Sequence, residues 1–101
     1  MEEIFHKKIL NTHIYVWKMT SSYEDQIKNP LLNSAELISA KELKNKKRKK
    51  EFLSSRIALK NIFNKELELK HHTSGKPFIK EAKHLSISHS SNFLAIAFGE
   101  E

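Results

Sequence analysis

The chain has 101 residues, of which 39% are hydrophobic, and this length predicts one domain spanning residues 1–101 with a modest core. It contains no cysteine, which excludes a disulfide framework and a thiolate metal site and is compatible with a reducing cytoplasm. The apolar runs are far too short to cross a membrane, and the acidic start is unlike a signal peptide, so we expect a soluble cytoplasmic protein without membrane contact.

The formal net charge of +6 is concentrated in one segment. Six basic residues lie between positions 44 and 50, and the charges of the remaining residues cancel. A local excess of this kind predicts a site for a polyanion, whereas a generally basic protein would spread its charge. Composition alone leaves nucleic acid, a nucleotide phosphate and an acidic protein open as partners. The six residues are Lys44, Lys46, Lys47, Arg48, Lys49 and Lys50.

The first predicted elements are a strand and a short helix. The run at 12–19 is rich in β-branched and aromatic residues, which predicts a strand in which Tyr15 and Trp17 pack in the core. Residues 21–29 predict a short helix, capped by Ser21 or Ser22 and ended before Pro30.

A longer helical region follows. Asn33 and Glu36 have the spacing of a capping box, and the helical pattern continues to about residue 65, with a break near Asn45. In the second half, apolar and basic residues recur at intervals of three and four, which places them on one face of the helix. These residues are Lys49, Phe52, Arg56, Leu59 and Phe63.

Arg56 interrupts this apolar stripe, and a desolvated guanidinium requires an anionic partner. One interpretation is a phosphate clamp in which Lys49 and Lys46 lie above Arg56 on the same side of the helix. The other is that Arg56 bonds a helix end or a carboxylate within the fold, while the lysines form a solvated face. The residues alone do not decide between the two.

The segment after the helix predicts a strand, a turn and a second strand. Residues 67–71 alternate between apolar and polar, and Gly75-Lys76-Pro77 has the composition of a turn in which glycine takes a positive φ. The strand resumes at Phe78, and the ammonium of Lys76 is placed at the tip of the loop. His71 and His72 would point to opposite faces of a strand, so we expect no metal site there.

Residues 84–99 predict a β-hairpin. Leu85 and Ile87 alternate with serines, as in a half-buried strand, and Ser90-Ser91-Asn92 forms the turn, with Asn92 suited to left-handed dihedrals. The return run from 93 to 98 is apolar on both faces, which is typical of a central strand. The hairpin is expected to present Ser88, His89 and Ser90 at its polar end.

Three blocks of this sequence, in their order and spacing, resemble the N-terminal half of Sfp-type 4′-phosphopantetheinyl transferases. They are the basic helix with Phe52, Arg56 and Lys60, the turn Gly75-Lys76-Pro77, and the strand Ile87-Ser88-His89-Ser90. The resemblance spans about residues 14–99. It implies an α+β fold in which a small antiparallel sheet packs against one long and one or two short helices, as in one half of the family's pseudosymmetric structure.

The resemblance also implies a function and a set of site residues. The family transfers phosphopantetheine from coenzyme A to a serine of an acyl or peptidyl carrier protein. Mapped onto this chain, the 3′-phosphate of coenzyme A would meet the basic helix, and the nucleotide and pyrophosphate would meet the turn and the strand, with His89 as the candidate catalytic residue. The implied coenzyme-binding residues are Lys46, Lys49, Arg56, Lys76, Pro77, Ser86, Ser88 and His89.

The family's magnesium site has no counterpart in this sequence. The G-x-D-x-E and W-x-x-K-E motifs, whose carboxylates hold Mg²⁺, are absent, and Glu100 and Glu101 do not lie in a matching motif. We therefore expect a coenzyme A-binding half that works with a complementary C-terminal half, or pairs with itself through an apolar surface around 93–98. The alternatives are a small nucleic-acid-binding module that uses residues 44–50 and a non-catalytic homodimer, although no known nucleic-acid motif is visible.

Overall fold

The computed structural model describes residues 1–100, and they form an α+β structure. The described residues contain three helices and six strands. The helices are α1 (Tyr23–Gln26), α2 (Ser34–Glu42) and α3 (Lys46–Phe63). The strands are β1 (Glu2–Ile9), β2 (Thr12–Lys18), β3 (Lys70–His71), β4 (Pro77–Phe78), β5 (Leu85–Ser90) and β6 (Phe93–Gly99).

The described chain divides into two compact units. One consists of residues 1–19 together with the segment from Leu67 onward, and it holds the strands; the other, 20–66, holds the helices. The predicted antiparallel α+β class is confirmed. The single domain over 1–101 and the likeness to a transferase half remain predictions. No helix within residues 1–100 has the length and apolar character needed to span a bilayer.

The strand unit is built on a four-stranded antiparallel sheet with the order β1-β2-β6-β5. The predicted strand at 12–19 and the predicted hairpin at 84–99 are both confirmed, and β6 is central as its apolar sequence indicated. The left-handed turn residue is Ser91, with φ 48°, and not Asn92. β1 was not predicted, because its short apolar pattern is broken by charges.

One face of this sheet carries the core of the strand unit. Trp17, Leu85, Leu94 and Ile96 are all buried there, as the alternation of β2, β5 and β6 requires. The predicted core packing is confirmed for Trp17, whereas Tyr15 on the same face is only half-buried. The ring of Tyr15 stacks on that of Trp17 at 5.4 Å and on that of His6 at 3.9 Å. Of the larger side chains expected to form an apolar surface around 93–98, Leu94, Ile96 and Phe98 are buried and Phe93 is exposed. Pairing through this surface stays a prediction.

The turn between β3 and β4 follows the predicted chemistry. Gly75 has φ +92°, and its N–H donates to the carbonyl of His72 at 2.8 Å, which closes a four-residue turn. The flanking pairing is short: only Lys70–His71 and Pro77–Phe78 form strands, so residues 67–69 are not part of the predicted strand.

The helical unit begins each longer helix with an asparagine cap. Asn33 and Glu36 form the predicted capping box, with both hydrogen bonds at 2.9 Å. The predicted break at Asn45 is also confirmed, since its side chain accepts from the N–H groups of Lys47 and Arg48 at the start of α3. α1 is shorter than predicted and is capped by Ser22.

Lys60 is the buried cation that connects the helices of this unit. Its side chain is 1% exposed, and its Nζ donates to Oε1 of Glu36 at 2.5 Å, to Oε1 of Glu66 at 2.5 Å and to the carbonyl of Leu31 at 2.9 Å. Burial by itself would lower the pKa of Lys60, but the hydrogen bonds with Glu36 and Glu66 outweigh burial and the pKa is raised. Three oxygens thus satisfy all three donors of the ammonium.

We expect the Lys60→Met substitution to lower the free energy of unfolding by about 3–5 kcal/mol, because Glu36 is left as an unpaired, largely buried carboxylate. The double variant Glu36→Gln/Lys60→Met should lose less than the sum of the two single variants. Urea unfolding followed by circular dichroism measures both. Lys47→Met, an exposed change on the same helix, is the control, and a loss for Lys60→Met as small as that of the control would contradict the prediction.

Candidate functional site

Arg56 lies on the third turn of α3 with its guanidinium against its own helix. Its Cζ is 3.5 Å from the centroid of the Phe52 ring, and its Nη1 donates to the Phe52 carbonyl at 3.3 Å and to Oγ of Ser55 at 3.2 Å. The ring four residues earlier therefore supplies a cation–π contact. Within the described residues, Arg56 forms no ion pair with a carboxylate.

This environment leaves the charge of Arg56 poorly compensated. Burial lowers the pKa of the guanidinium to about 10, and the negative charge of Glu36 offsets only part of that effect. Glu36 is itself bonded to Lys60, so its charge is shared between two cations. An anion that accepted the remaining N–H groups of Arg56 would restore the compensation that burial removes.

The lysines proposed to lie above Arg56 have partners in α1. Nζ of Lys46 is 2.9 Å from Oε1 of Glu24, and Nζ of Lys49 is 5.2 Å from the centroid of the Tyr23 ring. The hydrogen bond from Lys46 lowers the pKa of Glu24, and that bond raises the pKa of Lys46 in return. Both side chains of this ion pair are well exposed, so a stronger anion could displace Glu24 at small cost.

The start of α3 concentrates positive charge where a helix least favours it. Lys46, Lys47 and Arg48 occupy the first turn, which contains no acidic residue, and the N-terminal end of the helix dipole is itself positive. Among the described residues, Lys47 and Arg48 are exposed and form no ion pair. The side-chain charges and the helix dipole therefore add, and the start of α3 is strongly electropositive.

The candidate residues of the strand unit lie in two places. Lys76 is exposed between β3 and β4, and Pro77 pairs with His71 in the short ladder. The ring of His72 packs against the ring of Phe78, with 4.2 Å between their centroids. Lys76 is exposed as predicted, but it follows the turn and does not lie at its tip, because its carbonyl accepts from the N–H of His72 at 2.8 Å.

The pleat of β5 separates the two serines from the histidine. Ser86 and Ser88 are exposed and lie opposite alanines of β6, whereas His89 lies opposite Leu94 on the face that carries the core. Nε2 of His89 is buried and has no hydrogen-bond partner among the described residues. The three residues therefore do not form one side-chain cluster, although they are adjacent in sequence.

Three residues outside the predicted set of coenzyme-binding residues also shape the helical unit. Glu24 and Tyr23 contact the side chains of Lys46 and Lys49, and the carboxylate of Glu36 binds Lys60 and not Arg56. The signal for Lys60 was present, since it follows Arg56 by four residues on the same stripe. Within residues 1–100, no group of three or more histidine, aspartate or glutamate side chains is arranged to hold a metal ion.

Comparison with known proteins gives no relatives. No family model matches the chain, no curated protein is significantly similar to it, and no solved structure matches its fold.

Because the serines and the histidine of β5 lie on opposite faces of the sheet, substitutions at these positions can show which face a ligand contacts. A coenzyme that reaches the half-buried ring of His89 would not contact the two serines, which lie on the opposite face of β5, so His89→Gln should weaken coenzyme A binding while Ser88→Ala should leave it nearly unchanged. Isothermal titration of each variant measures this. Comparable losses for both substitutions would show that the ligand does not distinguish the faces of the strand.

Proposed function

We propose that this chain is the coenzyme A-binding half of a 4′-phosphopantetheinyl transferase, the enzyme class that moves phosphopantetheine from coenzyme A to a carrier-protein serine. The observation that supports this proposal best is the half-buried guanidinium of Arg56, which has an aromatic and a backbone partner but no carboxylate. A phosphate group is anionic, and two of its oxygens can accept two parallel N–H donors of a guanidinium, which makes it a strong partner for arginine.

In this proposal, lysines of α3 bind the phosphate of the nucleotide together with Arg56. Lys49 precedes Arg56 by seven residues, or about 10 Å along the helix axis at 1.5 Å per residue. A long flexible side chain from each residue spans such a distance, so one 3′-phosphate could be held from both sides. Lys46, one turn earlier, would exchange Glu24 for the ligand. These residues would act by binding and neutralising phosphate, as such groups do in phosphoryl transfer.

The competing proposal is a nucleic-acid-binding module. The observation in its favour is the exposure of Lys44, Lys47 and Arg48, which form no ion pair among the described residues. Such a module would bind oligonucleotides through many phosphates and lose affinity steeply as salt is added. It would depend on these exposed residues and not on Arg56.

The test is a titration of the purified chain with coenzyme A, dephospho-coenzyme A and an oligonucleotide. We expect coenzyme A to bind most tightly, and Arg56→Ala to weaken its binding by roughly 1.5–3 kcal/mol, the range for a hydrogen bond to a charged group. Arg48→Ala is the matched control, because it removes the same charge from an exposed position of the same helix.

Equal affinities for coenzyme A and dephospho-coenzyme A would exclude the 3′-phosphate clamp. A preference for the oligonucleotide that Arg48→Ala reduces and Arg56→Ala does not would favour the nucleic-acid module instead. Circular dichroism of each variant establishes that the helices remain folded.

Transfer activity of these 101 residues is expected to require added magnesium-binding motifs. The carrier serine is a weak nucleophile until a base or metal assists it, and this sequence lacks the family's magnesium motifs. Mixing the chain with coenzyme A, Mg²⁺ and apo carrier protein should therefore leave the mass of the carrier unchanged. Adding a chain that contains G-x-D-x-E and W-x-x-K-E should restore transfer, and rapid transfer without it would contradict the proposed division of the enzyme.

A further inference from the structure

β1 is an edge strand with an open backbone. It pairs with β2 on one side, and no strand of residues 1–100 pairs with its other side. All eight of its residues are exposed, including the large apolar side chains of Ile4 (50%), Phe5 (45%) and Ile9 (47%). An exposed edge of this length is a template for pairing with another strand.

The charges of β1 are separated along the strand. Its acidic residues, Glu2 and Glu3, form one end, and its basic residues, Lys7 and Lys8, lie toward the other. β1 carries two lysines and a bulge, features that often protect edge strands from pairing, but its lysines lie at the end opposite its two glutamates. A strand with one acidic and one basic end repels a copy that runs parallel to it but attracts a copy that runs antiparallel.

A β-bulge at Ile4 determines which residues share a face. Glu2 pairs with Lys18, and Lys7 pairs with Ile14. Lys18 and Ile14 lie on the same face of β2, because they are four positions apart. Without the extra residue, positions 2 and 7 would lie on opposite faces, because an odd number of positions separates them.

The same bulge brings the next pair of residues onto the other face. Glu3 pairs with Trp17 and His6 pairs with Tyr15, two residues apart on the face that carries the core. Because of the bulge, Glu2 and Lys7 share one face of β1, and Glu3 and His6 share the other.

We infer that β1 pairs with β1 of a second copy of this chain in the antiparallel direction, about a two-fold axis between Ile4 and Phe5. In this register Glu2 lies opposite Lys7 of the second copy, and Glu3 lies opposite His6. Each pair shares one sheet face, the apolar residues meet at the axis, and the two four-stranded sheets become one sheet of eight strands. A register centred on Lys7 would instead place that residue opposite itself.

This inference is independent of the proposed coenzyme binding, and it differs from a dimer formed through the sheet surface at 93–98. Of the large side chains in that surface, Phe93 is exposed (41%), whereas Leu94, Ile96 and Phe98 are buried. The two modes therefore depend on different residues and respond to different substitutions.

The test is sedimentation velocity of the full chain over a range of concentrations. We expect a reversible dimer of the wild type, and at least about a tenfold rise in its dissociation constant for Glu2→Lys/Glu3→Lys, since the Glu2–Lys7 pair becomes a pair of like charges and the acidic partner of His6 is lost. Glu42→Lys/Glu68→Lys is the control, because it changes the net charge equally at exposed positions outside β1. This control should retain the affinity of the wild type.

A complementary variant makes the register testable. His6→Glu/Lys7→Glu should also dimerise poorly by itself, but an equimolar mixture with Glu2→Lys/Glu3→Lys should form a heterodimer as tight as the wild-type dimer. A wild type that remains monomeric into the millimolar range would overturn the inference. So would a dimer that tolerates the β1 variants, or one that Phe93→Asp dissociates while the β1 variants do not.

Discussion

The helical unit depends on the burial of one ammonium group. Lys60 is surrounded by two carboxylates and a backbone carbonyl, and Oε1 of Glu36 also completes the cap of α2. A charge in this position is stable only while every partner is present, so α2, α3 and the segment after α3 are held in one arrangement. The cost of removing Glu36 is expected to be large, because the side chains of Lys60 and Glu36 are both largely buried.

The same interaction accounts for the state of Arg56. Glu36 is the acidic residue whose charge acts on Arg56, yet its carboxylate is bonded to Lys60. Arg56 is left with the ring of Phe52, a carbonyl and a hydroxyl, which do not neutralise a guanidinium. The fold therefore satisfies one cation completely and leaves the cation one turn earlier on the same helix without a carboxylate partner among the described residues.

In the strand unit, the pleat of the strands determines which candidate residues can lie together. Alternation along β5 is fixed by the pleat, so adjacent residues such as Ser88 and His89 face opposite sides of the sheet. A bulge is the exception to this rule, and in β1 it brings residues of opposite charge onto a common face. The geometry of the backbone therefore separates one predicted cluster and creates an unpredicted pairing surface.

Features that depend on neighbouring residues could be predicted from the sequence. The capping box at Asn33, the helix break at Asn45, the glycine turn at Gly75 and the central position of β6 follow from short-range hydrogen bonds, backbone freedom and apolar runs. These interactions are complete within a few residues, so composition and spacing are sufficient to identify them.

The remaining features were decided by contacts between distant segments. Lys60 and Arg56 lie on the same helical stripe, and only the position of Glu36, twenty-four residues before Lys60, decides which cation is paired. β1 is stabilised by pairing with β2 and not by its own apolar pattern, so its sequence did not reveal it. The sequence alone determined where helices and turns begin, whereas the tertiary structure decided which charges are compensated, because compensation depends on distances that the order of residues does not specify.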